Sequence, residues 1–138
     1  MSAVAEFIDL SFRPDLGLLF GRWLRAATDE EVHQGYEAVL AVAAPHGARY
    51  WLLDLRRRGP GSQAATRWVL DAFLPRLAAG LQRRYYLAYL LSPAHLAQVR
   101  EAPPTASPGP YAVEVFTDEC AALQWLRRCQ QEEQATRQ

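Results

Sequence analysis

Asp54 closes the apolar run Tyr50-Trp51-Leu52-Leu53-Asp54-Leu55. Three arginines, Arg56, Arg57 and Arg58, follow it before Gly59-Pro60-Gly61-Ser62 opens the next helical pattern. Guanidinium forks grip phosphates and carboxylates bidentately, and the free amides of a helix start favour negative charge. A strand end that leads through such a loop into a helix is also where open α/β sheets bind ligands. Asp54, Arg56, Arg57, Arg58, Ser62 and, farther along the same helical pattern, Trp68 are therefore the candidate contact residues. A protein partner, a small anionic ligand or a small apolar ligand is what they would meet.

Catalytic chemistry is not expected at this corner. Asp54 has no base or metal ligand beside it in sequence, and its expected role is to accept hydrogen bonds from loop amides or to pair with Arg56. Ser62 lacks the second glycine of a nucleophile elbow and an obvious histidine partner. His33, His46 and His95 stand at no recognised ligand spacing from another His, Cys or carboxylate, so no metal is expected. All fifteen basic residues are arginines, which with the abundance of Ala, Leu and Pro reads as the coding bias of a GC-rich genome. Without lysine there is no Schiff base to a carbonyl substrate or to pyridoxal phosphate, and no P-loop. No cofactor is expected, and the chain reads as a non-enzymatic protein.

At 138 residues, half of them apolar, with zero formal net charge, the chain suits one packed domain. That balance gives no field to attract nucleic acid or anionic lipid. Cys120 and Cys129 fall on one expected helix, about 13 Å apart along its axis, too far for a disulfide between them. The N-terminal residues lack the form of a secretory signal, and no apolar run reaches membrane-spanning length. A cytoplasmic protein is expected, with a domain over residues 1–129 and a fraying polar tail over 130–138.

The elements that must position these residues follow from periodicity and punctuation. Val4 to Phe12 and Leu16 to Leu24 predict a hairpin around Arg13-Pro14-Asp15. Thr28-Asp29-Glu30-Glu31 has the form of a capping box, ahead of Val32, Tyr36, Val39, Leu40 and Ala43 at helical spacing. Tyr50–Leu55 and Tyr85–Leu91 read as strands buried on both faces. Ser62 should cap a helix whose inward stripe is Ala65, Trp68, Val69, Ala72 and Phe73, with Pro75 kinking or ending it. Ser92-Pro93 starts a short helix to about Val99, and Glu101 to Pro110 is an expected mobile loop. Ala112–Phe116 alternates like a strand. Thr117 should cap a last helix carrying Ala122, Trp125, Leu126 and Cys129 inward. Tyr85, Tyr86 and Tyr89 put rings on both sheet faces, leaving one available for a surface or homodimer contact.

The resulting order, ββαβαβαβα, predicts an α/β fold with a mixed sheet of about five strands and about four helices. It resembles the STAS fold of bacterial anti-sigma-factor antagonists. More closely, it is similar to small STAS-like proteins grouped with a lipid-transfer, CRAL-TRIO-like fold. The residues that carry the likeness are Trp51-Leu52-Leu53-Asp54-Leu55-Arg56, Ser62, Trp68 and Pro75, then Phe116-Thr117-Asp118, Ala122 and Trp125-Leu126. The resemblance implies a bacterial protein in which Ser62 occupies the place of a serine phosphorylated by a partner kinase.

Two roles follow as expectations. The first is a regulatory or protein-interaction domain with its contact surface at the Asp54 to Trp68 corner. The second is a carrier or sensor of a small apolar or anionic molecule bound between sheet and helices. A filled core with an exposed apolar patch beside Ser62 would favour the first, and a closed apolar cavity of roughly 300 Å³ or more the second.

Overall fold

Strand β3, Tyr50–Asp54, is buried at every position, as its unbroken apolar run requires of a strand covered on both faces. It lies at the centre of the sheet in a computed structural model that describes residues 4–80, 83–101 and 111–136, without the side chains of 78–80. β1 (Ile8–Arg13) and β2 (Leu18–Trp23) form the antiparallel hairpin. β2, β3, β4 (Tyr85–Leu90) and β5 (Tyr111–Phe116) then run parallel, in the order β1-β2-β3-β4-β5. The hairpin is shorter than its hydrophobic pattern suggested, because Val4–Glu6 forms a 3₁₀ turn before β1.

Successive crossovers in one direction place their helices on one face of the sheet. These are α1 (Asp29–Ala43), the paired segments α2 (Gln63–Trp68) and α3 (Leu74–Gly80), and α4 (Pro93–Glu101). The core between them and the sheet holds Trp23, Tyr36, Trp51, Leu53, Phe73, Leu77 and Leu87. The last helix, α5 (Glu119–Thr136), packs on the opposite face, where Leu52, Ala88, Leu90, Ala122 and Leu126 are buried. The protein is thus an α/β domain with a mixed five-stranded sheet and four helical units, counting α2 and α3 as one.

Between α2 and α3 the chain makes a π turn, Val69–Phe73, in which the amide of Leu74 bonds to the carbonyl of Val69. Pro75, which lacks the amide for the next helical bond, follows this turn at the start of α3, and the helix continues to Gly80 rather than ending there. One extra residue in the turn also rotates the inward stripe. Ala72 is exposed rather than buried, and Phe73, Leu74 and Leu77 face the core.

Two further expectations change at the C-terminus. The last helix starts on Asp118, whose carboxylate accepts the Ala121 amide at 3.0 Å, so Asp118 rather than Thr117 makes the capping bond. The polar segment from Gln130 is helical as far as Thr136. It continues α5 because Gln130 donates to the Leu16 carbonyl and Glu133 is held by Arg49 and Tyr50. The expected loop beyond Glu101, residues 102–110, lies outside the described residues, as do 137 and 138; Glu101 itself ends α4.

Candidate functional site

The strand order contains no reversal, so the crevice that a reversal opens at strand ends does not form at Asp54. Instead the arginine triplet is divided between the two faces of the sheet. Asp54 points to the α5 side, where its carboxylate accepts the Arg56 backbone amide at 3.0 Å and the Arg56 side chain at 2.9 and 2.8 Å. Arg22, its register partner on β2, adds a 3.2 Å contact and binds Glu119 at 2.7 Å. Burial alone would raise the Asp54 pKa, but the hydrogen bonds and charge of Arg56, with Arg22, bring it below the usual value. Asp54, Arg22, Arg56 and Glu119 therefore satisfy one another and close this end of the sheet. Arg57 is exposed. The three arginines do not form the single positive corner that their adjacency suggested.

Ser62 caps α2. Its oxygen accepts the Ala65 amide at 2.9 Å while its hydrogen goes to the Asp29 carboxylate at 2.6 Å. A phosphoryl group on this oxygen would displace the bond and stand beside a like charge. Trp68 is partly buried and stacks on His33, with ring centroids 4.0 Å apart. It also meets Tyr36 and Phe73, and so buttresses α2 against α1. The tyrosines of β4 all have internal partners: Tyr85 meets Trp51, Tyr86 stacks on Tyr50, and Tyr89 bonds to Tyr36.

Arg58 turns to the helical face. Its guanidinium lies over the Trp23 ring, 4.9 Å from the centroid, and lines a cleft of about 310 Å³ between β4, β5 and the helices α1 to α4. Leu70 of the π turn, Leu74, Leu91, Val99 and Val115 supply much of its apolar wall, and Val113, 41% exposed, stands at the rim. The π turn contributes both Val69 and Leu70, a placement in keeping with the frequent occurrence of such turns at functional sites.

Besides Thr66 of α2, whose hydroxyl donates to the Ser62 carbonyl, the polar groups of the cleft come from α1, β4, α4 and the loop after β3. Tyr36 of α1 and Tyr89 of β4 share a hydrogen bond of 2.8 Å between hydroxyls. Burial pushes both phenols up from their ordinary pKa, against the nearby positive charge of Arg58. His95 of α4 is shifted down, first by burial and then by Arg58, which keeps its imidazole neutral near pH 7. Arg58 Nη1 and His95 Nδ1 are both buried and have no hydrogen-bond partner among the described residues. Buried polar groups are normally satisfied, and an unpaired guanidinium nitrogen is the costlier kind to leave so. Sequence reasoning singled out Arg58 but missed Tyr36, Tyr89 and His95 as its companions. Their one signal was a hydroxyl or imidazole placed within an otherwise apolar stripe.

A larger groove of about 720 Å³ runs between the end of α5 and the β1–β2 turn. Its principal charged group, Arg49, is already bonded to Glu133 and to the Arg84 carbonyl, and Tyr50 donates to the same Glu133 at 2.9 Å. Among the described residues no buried polar atom along that groove is left unpaired, whereas the smaller cleft has two, on Arg58 and His95, so the smaller cleft is the better candidate for a ligand. Among the described residues no group of three or more His, Cys, Asp or Glu side chains is placed to hold a metal ion. Nor is any helix there long and apolar enough to cross a membrane. No protein-family model matches the chain, and no curated protein sequence does.

Proposed function

We propose that this protein is a STAS-like domain that binds a small, mainly apolar molecule, without turnover, in the cleft between β4, β5 and the helices α1 to α4. The observation that carries this reading is the cleft itself, about 310 Å³, a size within the range of small-molecule sites. It opens at Val113 rather than being closed. The interaction-domain reading called for an exposed apolar patch beside Ser62. Gly61, Gln63 and Ala64 around that serine are exposed but small or polar, and the large apolar residues that are exposed among those described, Leu16 and Val113, lie elsewhere.

Native mass spectrometry of the protein purified from its source, beside a Val99→Trp variant that fills the cleft, tests this directly. The expected result is a small-molecule adduct on the parent that the variant lacks. An equal adduct on both, or a bare parent whose melting temperature does not respond to small apolar acids and alcohols, would remove the cleft as a binding site.

A further inference from the structure

We infer that the ligand of this cleft is a small aliphatic or aromatic carboxylate, its head group bound by Arg58 together with His95 and the Tyr36–Tyr89 pair. This inference rests on the binding reading above and names the chemical class of what is bound.

Among the described residues lining the cleft, Arg58 is the cation and no carboxylate side chain is present. Arg56, two residues earlier, has Asp54 as its partner, whereas Arg58 donates through Nε to the Gly59 carbonyl at 3.3 Å and leaves Nη1 buried and unbonded. Its position over the Trp23 ring and the Nε bond to Gly59 hold the guanidinium in place before a ligand arrives. His95 Nδ1, buried and unbonded beside that cation, is a donor to a carboxylate in the tautomer that carries its proton there, without a second charge. In the Tyr36–Tyr89 pair one hydroxyl proton is spent on the other oxygen, and the remaining one is free to donate.

One positive charge with neutral donors matches a singly charged acid. A phosphate monoester carries about −1.5 to −2 at neutral pH, and its second charge would be buried without a partner. The apolar wall sets the body of the molecule. At roughly 30 Å³ per water-sized unit, the cleft holds about ten non-hydrogen atoms, the size of octanoate.

Calorimetric titration with octanoate, 1-octanol and octyl phosphate separates the alternatives. A charge-assisted hydrogen bond discriminates by about tenfold or more, so octanoate should bind the parent at least that much more tightly than 1-octanol, and more tightly than octyl phosphate. Arg58→Met should erase the preference for the acid over 1-octanol, and Arg58→Lys should restore part of it. Equal affinity of the parent for octanoate and 1-octanol would overturn the carboxylate assignment and leave the apolar binding site standing. Tighter binding of octyl phosphate would overturn it in favour of a phosphate ester. If none of the three binds, the binding reading fails and this inference with it. The parent comparison decides the matter even if the Arg58 variants do not fold.

Discussion

Ser62 and Asp29, 33 residues apart, share a 2.6 Å hydrogen bond that ties the start of α2 to the first turn of α1. The same oxygen accepts the Ala65 amide, so one hydroxyl caps one helix and pins it to another. Ser62→Ala should therefore lose more than a plain cap, about 1–2 kcal/mol where caps typically give about 1. Ser62→Asn, which can still accept the Ala65 amide, should recover the larger part. Urea unfolding of the two variants measures this, and an alanine variant indistinguishable from the parent would show that neither bond matters to stability.

Gly35 lies where α1 packs directly against Trp23 of the hairpin. A Cβ there would lie 2.3 Å from Cη2 of the fully buried Trp23. Alanine at a helical glycine ordinarily gains up to about 1 kcal/mol, but overpacking a core costs about 1–3 kcal/mol. The overlap is with a ring already packed against Phe7 and Tyr36, so the clash should win. Gly35→Ala is expected to lower stability by about 1–2 kcal/mol in denaturant titration. A more stable variant would mean that Trp23 shifts freely.

Glu133 and Arg49 test whether the end of α5 belongs to the folded domain. The Arg49 side chain is 9% exposed and that of Glu133 22%. Removing one partner of a buried pair costs about 3–5 kcal/mol, and the partial exposure of Glu133 argues for the low end. Glu133→Ala should lose about 3 kcal/mol and a chain ending at Cys129 at least as much, while Arg49→Leu with Glu133→Leu should recover much of it. A truncated chain as stable as the parent would make the last turns dispensable.

The parts of this fold legible in the sequence are those set by local rules. The run Tyr50–Asp54 needed only its apolar continuity. The Thr28–Glu31 box forms both of its reciprocal bonds, and Ser62 caps where its type and position suggested. The rest depended on distance or on the loss of a period. The π turn moved Ala72 outward because one extra residue shifts a helical stripe, and nothing local announces it. Arg56 and Arg58 went to opposite faces because a loop has no periodicity to read. The candidate ligand cleft was hidden for the same reason: Tyr36, Arg58, Tyr89 and His95 are convergent only after three crossovers have stacked on one face.

The final prediction concerns acid. Asp54 is held below its ordinary pKa of 3.8, burial opposing the shift and Arg56 and Arg22 prevailing over it. A carboxylate whose folded pKa is lowered contributes stability that is fully present above the unfolded value and fades as pH falls through the folded one. Asp54→Asn should thus be less stable than the parent at pH 7, by the same margin down to about pH 4. Below that the parent should lose stability faster, and the gap should narrow as its own carboxylate protonates. Chemical denaturation of both proteins across pH 2 to 7 gives the two curves. Parallel curves over the whole range would mean that Asp54 keeps its charge state on unfolding, and that its bonds to Arg56 and Arg22 add nothing dependent on ionisation.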